Sequence, residues 1–195
     1  NGEITPVTVS NRRGDTVIDT DEQPGNARPD KIPTLRAAFA KDGTITAANS
    51  SSISDGAAAL MLVTRAQASE LKLEVMATIK AHTTHAQEPS MFTTAPVGAM
   101  NKLLEKVSWS KDEVDLFEIN EAFAMVTMLA VSELGLDCEK VNVNGGACAL
   151  GHPIGCSGAR LLVTLIHALK ARGLSKGVAS LCIGGGEATA MAIEL

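Results

Sequence analysis

The chain has 195 residues, a length that suits one domain or a little more and is enough to bury a sizeable core. It is 45% hydrophobic and 20% charged with a formal net charge of −5, and no Lys/Arg cluster appears, so a nucleic-acid partner is not expected. No apolar run is long enough to span a bilayer, and residues 1–25 resemble neither a signal peptide nor an Arg-rich transit segment; the cytosol is the expected compartment, with an organellar matrix left open.

Residues 1–43 are polar and interrupted by Pro6, Pro24, Pro29 and Pro33, which predicts irregular loop with little core of its own. A small, polar run follows, Ala47–Gly56. The continuous apolar stretch Ala57–Val63 then reads as a buried strand or a buried helix turn, and Arg65–Leu71 as a short helix.

From Glu74 the pattern becomes regular. Val75–Lys80 suits a strand, and Val97, Met100, Leu103, Leu104 and Val107 recur at helical spacing. Val114–Ile119 is strand-like, and Ala122–Leu134 is an apolar helix ended by Gly135. Val141–Val143 reads as a short strand. Leu161, Leu162, Leu165, Ile166 and Leu169 form one face of a helix ended by Gly173, and Val178–Ile183 and Ala188–Leu195 form a hairpin around a Gly-Gly-Gly-Glu turn. The order β-α-β-α-β-α-β-β calls for layered α/β architecture with a mixed sheet between helices. With 3% aromatic residues, the core must be aliphatic.

The four cysteines, Cys138, Cys148, Cys156 and Cys182, do not suggest a disulfide framework, because the chain is neither small nor Cys-dense. Cys138, and with it Cys148 and Cys156, fits the behaviour of a small buried apolar residue. Cys148-x3-His152-x3-Cys156 is not expected to hold a metal, since Gly151, Pro153 and Gly155 prevent the helix that would align those side chains. No glycine run matches G-x-G-x-x-G or the P-loop pattern.

Three loops, each following a predicted strand, carry the candidate chemistry, and this is the edge of an α/β sheet where ligands bind. In Asn120-Glu121-Ala122-Phe123, the Asn120 side chain either caps the next helix or orients a water or a substrate carbonyl. In Asn142–Gly158, glycines allow close backbone approach to a ligand, and His152 is held extended by Pro153. A histidine there is either structural or a proton-transfer group. In Cys182-Ile183-Gly184-Gly185-Gly186-Glu187, the thiol is either a buried apolar group or a base or nucleophile beside backbone N–H donors able to stabilise an oxyanion.

Together these segments resemble the three C-terminal signatures of the thiolase family, and the resemblance extends through Asp42–Ala47 and the Ser/Asn run after it. It implies a thiolase-like layered α/β/α fold with a mixed five-stranded sheet. It also implies that residues 1–43 are the end of an inserted loop domain, residues 44–73 the last strand and helix of the N-terminal half, and residues 74–195 the complete C-terminal domain.

The implied activity is Claisen condensation of two acetyl-CoA molecules to acetoacetyl-CoA and CoA, or the reverse thiolysis, with a coenzyme A thioester as substrate and no separate cofactor. Cys182 resembles the cysteine that moves the α-proton. His152 resembles the histidine that activates the nucleophilic cysteine and helps bind the thioester oxygen, and Asn120 the residue that holds a water in that oxyanion site. The Gly184 N–H resembles part of a second oxyanion site. Ser51 resembles a serine that touches pantetheine, and Met91 and Phe123 resemble residues lining the acyl pocket, although the flank Phe92-Thr93-Thr94 departs from the family's glycine-rich pattern.

The family's acyl-accepting cysteine has no counterpart here, because Cys138, Cys148 and Cys156 do not sit in its motif. The chain alone is therefore expected not to turn over. Its expected partners are acyl-CoA, a complementary N-terminal half or intact subunits, and further copies in a homo-oligomer, and its exposed faces are expected to be apolar where such a partner packs. The alternatives are a longer-chain 3-ketoacyl-CoA thiolase and a non-catalytic thiolase-like binding protein.

Overall fold

A computed structural model describes residues 2–195. Residues 2–43 contain no buried residue, as the polar composition predicts. They are not all irregular, however: Val7–Asn11 (β1) and Gly14–Ile18 (β2) pair antiparallel, with Asn11 opposite Gly14. The period-two pattern of Val7, Val9 and Val17 is the signal for this hairpin, and Gly14, at φ 117°, makes its turn. The helix Glu22–Asn26 (α1) follows.

Ala57–Val63 departs from expectation. It has no regular secondary structure, and Met61 is 83% exposed. A strand needs a neighbour for its backbone groups, and no described segment pairs with this one. Ile53, Leu62, Leu71, Val75 and Ile79 are exposed in and around it, an apolar face.

The helix Arg65–Glu70 (α2) is set by a capping box, in which the Thr64 hydroxyl accepts from Gln67 N–H and Gln67 reaches back to Thr64 N–H. Strand Thr78–Ala86 (β3) begins three residues after the expected start at Val75 and runs six residues past the expected end at Lys80, because it lies at the sheet edge and carries polar residues on its open face. Helix Ala95–Val107 (α3) buries Ala95, Ala99, Met100, Leu103 and Leu104. Strand Leu116–Ile119 (β4) is buried at all four positions. Helices Ala124–Leu134 (α4), Ala147–Leu150 (α5) and Ser157–Arg172 (α6) precede the hairpin Lys176–Ile183 (β5) and Glu187–Glu194 (β6). Gly135 and Gly173 end α4 and α6 in the left-handed conformation, as the glycine positions predict.

The sheet order is β3-β6-β5-β4, with β4 parallel to β5 and β6 antiparallel to both of its neighbours. On one face α3 and α4 cover Phe117, Ile119, Val178, Ala190 and Ala192; on the other, α6 covers Leu116, Ala179 and Ile193. This is the mixed, three-layer α/β/α arrangement expected. The fifth strand, however, is reduced to one bridge, Val141 beside Phe117, since Asn142 turns the backbone to φ 48° and stops the ladder. The crossover from β4 to β5 leaves three loops at one end of the sheet: that after β4, that before α6, and the β5–β6 turn.

Candidate active site

The loop after β4 begins with Asn120, which is 0% exposed. Its backbone N–H donates to Ser180 O on β5 at 2.9 Å, which extends the β4–β5 pairing past the end of the strand. The capping alternative fails: the residue that starts α4 is Phe123, with no side-chain cap. The Asn120 amide instead reaches His152, with Nδ2 3.3 Å from Nε2, and Asn120 Oδ1 is buried without a partner among the described residues.

His152 is placed by backbone on both sides. Its N–H donates to Ser52 O at 2.9 Å, and it bridges in parallel to Ile53, consistent with the extended conformation that Pro153 imposes. Gly151 before it sits at φ 94°, and a Cβ there would lie 2.3 Å from Ser54 Oγ, so only glycine fits. The ring Nδ1 is 2.5 Å from Ser157 Oγ. Burial first and the nearby positive charge of Arg160 second lower the imidazole pKa, which favours the neutral ring.

Cys182 lies on β5, opposite Ala188 and two residues beyond the Ser180 carbonyl that receives Asn120 N–H. It is nearly buried, and burial pushes its thiol pKa up. Among the described residues no hydrogen bond joins its side chain to His152 or Asn120. Gly184 lies two residues on in the exposed turn, and its N–H has no partner among the described residues.

Ser51 is fastened to the same loop: its N–H and its hydroxyl both donate to Ala122 O, at 3.1 and 3.0 Å. Phe123 is half-buried and packs edge-on between Phe39 and Phe92, with ring centroids 5.9 and 6.4 Å away. Met91 lies in the short helical turn Pro89–Thr94, half exposed, and its carbonyl accepts from Gln87 Nε2 and Thr94 Oγ1. The structure thus brings Asn120 and His152 into contact and fastens Ser51 to the loop that carries Phe123. Cys182 and Gly184 lie on the neighbouring strand end, and Met91 lies beside Phe92.

Several residues that organise the site had no role in the sequence reading. Glu121 accepts from Asn142 Nδ2 at 2.9 Å and from Cys148 N–H at 3.0 Å, tying the first loop to the second. Glu118 is 1% exposed, and its Oε2 lies 3.3 Å from Arg160 on α6 while its Oε1 has no partner among the described residues. Burial raises its pKa to about 7, against the opposing pull of Arg160. Alternation along β4 was the available signal, since Glu118 and Asn120 share one face.

The other cysteines are free. Cys148 is half-buried, its thiol pushed up to about 12 by burial and the Glu121 carboxylate, and Cys156 is half-buried as well. Cys138 is exposed, contrary to expectation, because the short helical turn Cys138–Lys140 lies on the surface. No group of three or more potential metal ligands forms among the described residues, and no described helix is long and apolar enough to cross a membrane. A cleft of about 460 Å³ lies beside α4, lined by Glu121, Met128, Val131, Cys138, Val141 and Asn142 among others; none of His152, Cys182 or Asn120 lines it, and the polar groups at the sheet edge are the better candidate for chemistry.

Residues 73–195 match the family model described as "Thiolase, C-terminal domain", and residues 1–66 match "Thiolase, N-terminal domain". An acetyl-CoA acetyltransferase of Chromobacterium violaceum is 49% identical over 194 residues, 98% of this chain and 50% of that protein. Among solved structures, the Bacillus anthracis acetyl-CoA acetyltransferase superposes with a TM-score of 0.94 at 47% identity, over 97% of this chain and 48% of that one. Human mitochondrial 3-ketoacyl-CoA thiolase superposes with a TM-score of 0.88 at 35% identity, again over 97% and 48%. The chain spans about half the length of the curated relatives it matches.

Proposed function

The chain belongs to the thiolase family, and we propose that it supplies the proton-handling part of a thiolase active site that interconverts two acetyl-CoA with acetoacetyl-CoA and CoA. The observation that carries this reading is the contact between Asn120 and His152 at the end of β4, beside the strand end that bears Cys182 and the Gly184 N–H, which has no partner among the described residues.

The α-proton of a thioester is weakly acidic, so forming the carbanion needs a base and a place for negative charge on oxygen. Cys182 is the base in condensation. In thiolysis its thiol, kept protonated by burial, returns the proton to the departing enolate. His152, with its neutral ring, takes a thiol proton through a free ring nitrogen and then offers N–H to the thioester oxygen. Asn120 orients a water in the same site, and the Gly184 N–H faces the oxyanion of the acyl-transfer step. Ser51, bonded to the loop that carries Phe123, borders the pantetheine arm, and Phe123 the acyl group, with Met91 beside Phe92.

In this reading the acyl group is the short acetyl or acetoacetyl unit rather than the longer chain of a 3-ketoacyl-CoA thiolase, and comparing rates on acetoacetyl-CoA and a long-chain ketoacyl-CoA separates the two. In this reading residues 1–43 belong to an inserted loop domain, residues 44–73 complete an N-terminal half, and residues 74–195 are the C-terminal domain. The acyl-accepting cysteine comes from a complementary half, which covers the apolar face around Ile53–Ile79, and assembled subunits associate as a homo-oligomer in the cytosol or an organellar matrix.

The test is thiolysis of acetoacetyl-CoA by the chain alone and after addition of an N-terminal thiolase half from a relative. No turnover is expected alone and turnover with the half. Cys182→Ala and His152→Ala are each expected to lower the reconstituted rate by about 10²–10⁴-fold. Undiminished rates in both variants would remove the assignment.

A further inference from the structure

His152 Nδ1 and Ser157 Oγ lie 2.5 Å apart, and Ser157 Oγ also lies 3.0 Å from Pro153 O with the geometry of a donor. A hydroxyl has one proton. With that proton on the Pro153 carbonyl, Ser157 faces the ring as an acceptor, and Nδ1 must carry hydrogen. The other side of the ring agrees. Asn120 presents its Nδ2–H group to Nε2, which a ring nitrogen can receive only with its lone pair free. Burial favours the neutral ring, so one nitrogen carries hydrogen and the other does not. Ser157 itself is 2% exposed and is the first residue of α6, so water does not compete for its hydroxyl, and the helix fixes its position.

We propose that Ser157 is a positioning residue that holds His152 as the Nδ1–H tautomer and directs the lone pair of Nε2 toward Asn120. The tautomer of a neutral histidine is set by the hydrogen bond that its other nitrogen makes. Here that bond comes from within the six-residue segment His152–Ser157, so the tautomer is set before any substrate arrives. The catalytic consequence rests on the thiolase reading above. A thiol S–H bond breaks with its electron pair left on sulfur, the proton forms an N–H bond at Nε2, and the resulting imidazolium keeps its Nδ1–H bond to Ser157. The ring does not turn between accepting a proton and donating a hydrogen bond.

The experiment is long-range ¹H–¹⁵N correlation spectroscopy on the full chain with labelled histidine, recorded above the pH at which the imidazole titrates. His152→Asn identifies the signals, distinguishing them from those of His82, His85 and His167. In the unmodified chain Nδ1 is expected to give the pyrrole-type shift and Nε2 the pyridine-type shift. Ser157→Ala is expected to make the Nε2–H form the major one, and Ser157→Thr, which keeps the hydroxyl, to retain the original pattern. A pyridine-type Nδ1 in the unmodified chain would mean that the Ser157 hydroxyl and the Asn120 amide are both turned the other way, and would overturn the proposal; so would an unchanged pattern in Ser157→Ala. If Ser157→Ala does not fold, the unmodified chain and Ser157→Thr still decide. None of these signals depends on acyl-CoA chemistry, so the tautomer and the thiolase reading fail separately.

Discussion

The Asn142 side chain closes on both backbone groups of Ile119, accepting from its N–H at 2.8 Å and donating to its carbonyl at 2.9 Å. A side-chain amide thus takes the place of the next strand at the edge of β4, at the point where the expected fifth strand stops. Its Nδ2 also reaches Glu121, so the same residue that ends the sheet aligns two of the site's loops.

Asn142→Ala is expected to destabilise the chain by about 2–5 kcal/mol, because it leaves the buried Ile119 N–H unpaired and puts alanine in a left-handed backbone. Asn142→Gly, which relaxes the backbone but not the lost amide, is expected to recover about 1 kcal/mol of this. Urea unfolding measures both. An alanine variant as stable as the parent would show that the amide contacts do not hold the edge.

Glu118 gives a pH signature. Its folded-state pKa is raised to about 7, so between about pH 4.5 and 7 the native chain binds more protons than the unfolded one. The contribution of this group to stability is fully present below its unfolded pKa and is lost as pH rises through 7. At 1.36 kcal/mol per pKa unit the loss is roughly 3 kcal/mol. The stability of the parent relative to Glu118→Gln is therefore expected to fall across that window, and a pH-independent difference would refute the assignment.

The β5–β6 turn separates backbone need from chemistry. Gly186 sits at φ 102°, and a Cβ there would lie 2.3 Å from the Gln87 carbonyl oxygen, whereas a Cβ at Gly184 meets open space. Gly186→Ala is expected to cost about 2 kcal/mol or more, and Gly184→Ala within about 0.5 kcal/mol. Thermal unfolding of the two variants should rank them in that order, and equal costs would contradict it.

Thiol alkylation followed by mass spectrometry should order the cysteines. Cys138, exposed, is expected to react first, Cys182 slowly and faster as pH rises, and Cys148 last, since its thiol is pushed up to about 12. Labelling of Cys148 ahead of Cys138 would show that the loop bonded to Glu121 is open in solution.

Apolar spacing and turn glycines were enough to place α3, α4, α6 and the β5–β6 hairpin, because those elements bury their own apolar faces against one another within the chain. The three loop motifs likewise marked His152, Cys182 and Asn120 from local composition. Ala57–Val63 departs from its pattern for the opposite reason: its apolar run suits a buried strand or a buried helix turn, and the described residues leave most of it uncovered, so pattern alone does not distinguish a buried element from an uncovered segment. The β1–β2 hairpin, the loss of the fifth strand at Asn142, the exposure of Cys138, the pairing of Glu118 with Arg160 and the contact of His152 with Ser157 and Asn120 were decided only in three dimensions. Composition and periodicity fix which residues seek burial. Which polar atoms meet depends on hydrogen-bond geometry between segments distant along the chain, and that is a property of the folded arrangement alone.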